Sequence, residues 1–427
     1  QSLFSSFSHL MFLQLVSRAL TFTLNSALLR LASARAYGTA AIQFEFLLST
    51  ILFLSREGVR NALLRSKTPH AASTRNVSFI PLLLGLPLSA AAFVLYPRFA
   101  SEETRRQGYF TTAVAIYVIA ALAELLCEPM HNLTMAELRT DIRVRAEGFA
   151  MTAKTVTTFL VLFYDARAER DGDLALIAFG AGQLCYSCAL LLIYIPHYGV
   201  SLLRSTKPDS GSVFAPYFDP ALVRLATTMT SQSFMKHILT EGDKVILSVF
   251  SPLEDQGGYA VAVNYGSLLA RIVFQPIEET LRVYFSKALS ASDPAAATHE
   301  SSNTLETLLS TQISLSAIFV TFAHPYAPLL LNILLPRQYR HTSARTVLSA
   351  WVWYIPLLSV NGGLEAFVSS VADGAALNQQ SRYMTVISPL YIAAALFFYK
   401  TAQFGDRSLV YANMINLVAR IAYALHF

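Results

Sequence analysis

The chain has 427 residues, 54% of them hydrophobic and only 14% charged. That is too apolar and too sparsely charged for an ordinary soluble domain, and it implies a polytopic membrane protein. The net charge of +5 arises from 32 Lys and Arg against 27 Asp and Glu, with no basic run long enough to track a phosphate backbone, so nucleic acid is excluded as a partner.

Windows of roughly 20 apolar residues mark about 12 membrane spans. They are Leu10–Leu31, Ala40–Leu64, Ser78–Arg98, Gly108–His131, Ala146–Tyr164, Leu174–Ile195, Leu222–Phe250, Tyr259–Tyr284, Leu305–Leu335, Val347–Val371, Tyr383–Tyr399 and Ser408–Phe427. Backbone polar groups in hydrocarbon must bond internally, so the expected class is all-α. The first span carries Arg18 and Asn25, too long and too polar for the core of a cleavable signal. The longest polar break, YGVSLLRSTKPDSGSVFAPYFDP, separates the spans into two equal sets. The expected organisation is an N-terminal lobe over 1–198, a linker over 199–219 and a C-terminal lobe over 220–427. Basic loops holding Arg56, Arg60, Arg65, Lys67 and Arg75, and then Arg139, Arg143 and Arg145, place the N-terminus in the cytosol.

An internal repeat fits this division. Sliding the chain by about 222 positions lays Tyr37–Arg60 on Tyr259–Arg282, with Tyr37 on Tyr259, Glu57 on Glu279 and Arg60 on Arg282. The same offset sets Arg18 beside Glu241. The two lobes are therefore expected to be pseudo-symmetric around a central cavity.

Charges inside spans are expensive and usually face a bundle interior or a wet cavity. In the first span Gln14, Arg18, Thr21 and Asn25 share one helical face. Asn264, Ser267, Arg271, Gln275, Glu278 and Arg282 form a similar stripe in the eighth, next to Pro276. The seventh is polar from Thr227 to Lys244, and Gly242 would let it kink beside Glu241. Arg18, Asn25, Lys154, Glu241, Lys244, Asn264, Arg271, Gln275 and Asn361 are thus candidates for the cavity lining. Glu57, Arg60, Glu278, Glu279 and Arg282 either pair within their own helices or cross-pair between lobes as a gate. Glu124 with Glu128, beside Pro129, and Lys154 are open between structural and functional roles. Glu241 is expected to face the cavity and to neutralise Arg18 or Lys244.

Enzyme chemistry has little support. Cys185-Tyr-Ser-Cys188 has CxxC spacing but no second pair or neighbouring His, and Cys127 stands apart, so neither metal nor disulfide is expected. Phosphate-loop, dinucleotide and HExxH patterns are missing, and no cofactor is implied. The sequons at Asn76 and Asn132 lie against the membrane and are expected to stay unmodified.

The segments LQLVSRALTFTLNSALLRLAS, FLSREGVRNAL, EPMHNLTMAELRTDIRVRAEGFAMTAK, LTEGDKVILS, DQGGYAVAVNYGSLLARIVFQPIEETLRVYFSKAL, NGGLEAF and ANMINLVARIAYALHF resemble the Rft family. These are the dolichol-linked oligosaccharide translocation proteins of the endoplasmic reticulum, similar in fold to MATE exporters and the lipid II flippase MurJ. The resemblance implies two bundles of six helices and a substrate, Man5GlcNAc2-PP-dolichol, carried from the cytosolic to the lumenal leaflet for N-glycosylation. It also implies two further C-terminal helices, which would follow Phe427. Partners would be the lipid-linked oligosaccharide, membrane lipid and N-glycosylation enzymes, with the protein itself a monomer. Arg and Lys on the cavity stripes suit a pyrophosphate, and the amides suit sugar hydroxyls. The alternative is an accessory protein that binds or chaperones the lipid-linked oligosaccharide, or organises its pathway, without flipping it.

Overall fold

The computed structural model describes residues 23–65, 72–170, 172–199, 217–288, 294–372 and 374–427, and among these no strand occurs. The helices fall into two compact units, one within Ala19–Val245 and one within Ile246–Phe427. The first unit holds α1 (residues 23–31), α2 (Ala34–Leu63), α3 (Ala72–Phe99), α4 (Phe110–Ala136), α5 (Thr140–Arg167), α6 (Ala175–Tyr198) and α7 (Pro220–Thr240). The division falls inside α8 (Gly242–Phe250). The second unit holds α9 (Leu253–Leu269), α10 (Gln275–Ala288), α11 (Pro294–Leu334), α12 (Ala344–Val371), α13 (Gly374–Lys400) and α14 (Arg407–His426).

Among the described residues, eight helices are long and apolar enough to cross a membrane: α2, α3, α4, α6, α12, α14, Ser301–Ala327 of α11 and Gln379–Lys400 of α13. The other four expected spans have identifiable reasons. Leu10–Leu31 lies largely outside the described residues. Ala146–Tyr164 falls in α5, whose first turns hold Asp141, Arg143, Arg145 and Glu147. Leu222–Phe250 is two helices, parted at Glu241, which caps the end of α7. Tyr259–Tyr284 is interrupted by a π-helical segment, Ala270–Phe274, between α9 and the strongly polar α10. A second π segment, Thr39–Phe44, lies in α2.

Small side chains build the first unit. Apolar helices gain little from burial against one another in lipid, so close van der Waals approach decides their packing. Ala113, Ala120 and Ala121 on α4 are fully buried and bring α4 against α6. Phe44, also fully buried, packs its ring 4.8 Å from Tyr117 and 6.0 Å from Phe110.

The seventh helix, expected with the C-terminal half, packs along α2 in the first unit. Gly58 is the reason at the contact. A Cβ there would overlap Thr230 Oγ1, and would lie 2.5 Å from the Thr230 nitrogen and 2.7 Å from the Ala226 carbonyl oxygen. His237 adds direction to this seam. Its ring is 96% buried, stacks 4.7 Å from Phe53 and meets Thr50 Oγ1 at 3.0 Å through Nε2. At the other end Asp219 caps α7, accepting from Ala221 N at 2.9 Å and Leu222 N at 3.2 Å, with Pro220 at the first helical position.

In the second unit α12 is the central element, packed by α9, α10, α11 and α14. Three turns are tied together by one carboxylate. Asp406 Oδ2 accepts from Ser251 Oγ at 3.0 Å and from Ser343 Oγ at 2.7 Å, while the Ser343 backbone N–H donates to Asp255 Oδ1 at 2.6 Å. Burial raises the Asp406 carboxyl above its ordinary range, and it raises Asp255 in the same direction.

Candidate functional site

Two polar sites lie inside the helical units. In the first, Arg56 and Arg60 are one turn apart on α2, and Glu124 and Glu128 are one turn apart on α4, so the two i, i+4 pairs face each other. Arg56 Nη1 donates to Glu124 Oε1 at 2.6 Å and lies 3.5 Å from Glu128 Oε1. Arg60 grips Glu128 through both oxygens, Nη2 to Oε1 at 2.6 Å and Nε to Oε2 at 2.8 Å. The Glu128 side chain is 1% exposed. Cys127 closes the first half of α4, and Pro129 stands in the first turn of the second half. Glu128 is the first residue of that second half, at the end of an apolar run. A cavity of about 60 Å³ sits beside the cluster, walled also by His131, Glu147, Tyr186 and Tyr194.

The second site is a cavity of about 290 Å³ wholly within the second unit. It is bounded by Ala270 and Phe274 of the π segment, Gln275 and Glu278 of α10, Tyr354, Leu358, Asn361, Gly362 and Glu365 of α12, and Asn413, Asn416, Leu417 and Arg420 of α14. Arg420 Nη2 lies 2.7 Å from Glu365 Oε1 and 2.6 Å from Oε2, and Asn361 Nδ2 donates to Oε2 at 3.1 Å. A π turn gives up regular helical bonding, and such turns recur at functional sites. Here it forms one edge of the cavity.

The sequence candidates distribute as follows. Gln275, Glu278 and Asn361 meet in the 290 Å³ cavity. Arg271 is exposed and folds back on its own helix, donating to the Asn264 carbonyl at 2.9 Å and to Asn264 Oδ1 at 3.0 Å. Lys154 donates to Gln183 Oε1 at 2.6 Å, bridging α5 and α6. Glu241 Oε2 lies 2.8 Å from Lys244 Nζ across the break between α7 and α8. The contact is an ion pair by distance without hydrogen-bond alignment. Asn25 is half-buried on α1. Arg18 and the side chain of Glu279 lie outside the described residues.

The expected partners of the charged pairs on α2 and α10 need correction. Glu57 does not hold Arg60; it accepts from Asn61 Nδ2 at 3.2 Å. Arg60 turns to Glu128, because a planar guanidinium gains two parallel bonds there that an i, i+3 carboxylate does not offer. Arg282 pairs one turn back with Glu278 at 2.6 Å. The Arg56/Arg60 and Glu124/Glu128 register was readable only as two matched i, i+4 spacings on separate helices. Arg420 and Asn416 left no signal beyond being polar in an apolar span.

The sequon asparagines are both buried, Asn76 completely, and Asn76 Nδ2 donates to the Tyr217 carbonyl at 2.9 Å. Among the described residues no group of three or more His, Cys, Asp and Glu is placed to hold a metal.

The chain matches the profile of the Rft protein family, Rft-1, over residues 2–427. It is 33% identical to the "Man(5)GlcNAc(2)-PP-dolichol translocation protein RFT1" of Yarrowia lipolytica, across 97% of this chain and 68% of that one. To the protein of the same name from Saccharomyces cerevisiae it is 29% identical, across 97% and 80%. In fold it is similar to the lipid II flippase MurJ in an inward closed conformation, with TM-score 0.65 and 14% identity over 98% of this chain and 87% of that one. A multidrug resistance MATE family transporter in an inward-facing conformation gives TM-score 0.62 and 12% identity, over 95% and 93%. The structural likenesses show an all-α fold of two helical bundles, and the chain belongs to the Rft protein family.

Proposed function

We propose that this protein carries a dolichol-pyrophosphate-linked oligosaccharide from the cytosolic to the lumenal leaflet of the endoplasmic reticulum membrane, as a monomer with its N-terminus in the cytosol. The observation that carries this is the similarity, over nearly the whole chain, to relatives named as translocation proteins for Man(5)GlcNAc(2)-PP-dolichol. The chemistry supports it. A lipid-linked oligosaccharide needs polar contacts for sugars and phosphates inside a scaffold whose outside is apolar, and the amide-lined cavity sits in such a scaffold. Without a nucleotide-binding pattern in the sequence, movement would be facilitated or ion-coupled.

A second reading is favoured by one observation. Arg56, Arg60, Arg282, Arg420 and Lys244 are each engaged by a carboxylate of their own unit. A pyrophosphate drawn to any of these five would have to displace a carboxylate, a cost that opposes rapid passage and suits a protein that holds the lipid-linked oligosaccharide without moving it. Reconstitution decides between the two. Purified protein in liposomes carrying fluorescent Man5GlcNAc2-PP-dolichol in one leaflet should bring the label to the opposite leaflet above the rate of empty liposomes. Binding of the lipid with no excess transfer would overturn flipping and leave the accessory role.

A further inference from the structure

We propose that the 290 Å³ cavity of the second unit is a subsite for a single neutral sugar ring, separate from the place where the pyrophosphate is held. This rests on the proposed function for its substrate, and it adds which part of that substrate the cavity takes.

Charge is the first argument. Arg420 and Glu365 share two close contacts, 2.7 and 2.6 Å, and Glu278 is paired with Arg282 at 2.6 Å. A pyrophosphate drawn to Arg420 would have to strip it from Glu365 and leave that carboxylate only the Asn361 amide in a partly buried place, which is unfavourable. A neutral ligand leaves both pairs intact.

Hydrogen-bonding capacity is the second. Gln275, Asn361, Asn413 and Asn416 bring four carboxamides to one cavity. Each carboxamide offers a carbonyl acceptor beside an NH₂ donor, which is the combination that a ring of hydroxyls, each donor and acceptor at once, can use from several sides. Asn361 spends one N–H on Glu365 Oε2 at 3.1 Å, and this fixes its orientation.

Size and surface are the third. Small-molecule sites span roughly 300–1,000 Å³, so 290 Å³ suits one ring rather than a branched chain. Phe274 and Tyr354 are the aromatic residues of the lining, the side-chain class that the C–H side of a pyranose packs against.

The test uses the intact protein in detergent, and its probes are free Man5GlcNAc2 released from lipid and sugar-free dolichyl pyrophosphate. Binding of each is measured for wild type, Asn416→Leu and Asn416→Gln. Losing the amide's bonds in Asn416→Leu should weaken binding of the free oligosaccharide by about tenfold, with dolichyl pyrophosphate binding unchanged, and Asn416→Gln should recover part of the loss. Unchanged dolichyl pyrophosphate binding also reports that the variant is folded. Equal loss of both probes in Asn416→Leu with wild-type thermal stability would overturn the proposal, as would no loss of either. Failure of the wild type to move lipid in liposomes, with oligosaccharide binding still sensitive to Asn416, would overturn flipping and leave the subsite standing.

Discussion

Arg60 of α2 and Glu128 of α4 are joined by two parallel hydrogen bonds, 2.6 and 2.8 Å long, and the Glu128 side chain is almost completely buried. The pair, with Arg56 and Glu124 one turn away, clamps two helices whose contact is otherwise aliphatic and aromatic. Removing Arg60 leaves the buried Glu128 carboxylate only the longer 3.5 Å contact with Arg56, and removing the Glu128 charge costs Arg60 its two-bond partner. Glu128→Gln or Arg60→Gln should therefore lower stability by about 3–5 kcal/mol, and the two combined should destabilise less than the sum of the single changes. Thermal melts of the purified protein in detergent measure all of these.

The seam between α2 and α7 makes a sharper structural prediction. Because a Cβ at position 58 would meet the backbone of α7 as well as the Thr230 hydroxyl, Gly58→Ala should destabilise by about 1–3 kcal/mol, in the range of overpacking. Adding Thr230→Ala should not restore it. Full recovery in the double variant would mean that the side chain alone sets the approach.

The turn knot of the second unit has a pH signature. The Asp406 and Asp255 carboxyls are raised by burial, so the folded state binds their protons more tightly than the unfolded chain does. Their contribution is thus fully present below the unfolded carboxylate value and lost as pH rises through the folded one. Asp406→Asn can still accept from Ser251 and Ser343 without carrying a buried charge. It should match or exceed wild-type stability at neutral pH and fall below wild type only in acid. Melting temperatures across an acid-to-neutral pH series check this; a variant less stable at neutral pH would show that the ionised form is favoured.

At the α7/α8 break, Glu241 and Lys244 pair at 2.8 Å. If this pair opens during substrate movement, Glu241→Gln should impair N-glycosylation in cells that depend on the protein, and Asp243→Asn should leave it near wild type. A defect in the Asp243 variant with the Glu241 variant intact would assign the working carboxylate to Asp243.

The helical class and the placement of most spans were already present in the chain, because roughly 20 apolar residues in lipid have no low-energy alternative to a helix. Gln275 and Glu278 of the eighth-span stripe, and Asn361 on another span, were legible for the same kind of reason, since polar groups in apolar spans must face something other than lipid. Partners across helices were another matter. Sequence spacing ranks Glu57 as a neighbour of Arg60, whereas Glu128 is 68 positions away and wins by geometry, offering two oxygens to one guanidinium. The same holds for Arg420 with Glu365, 55 positions apart, and for α7, whose place on α2 is decided by the notch at Gly58. Local physics determined that these segments are helices and which of their residues must be satisfied. Only the tertiary structure decided by whom, because a long side chain's choice among partners depends on distances of a few tenths of an ångström, and no periodicity encodes those.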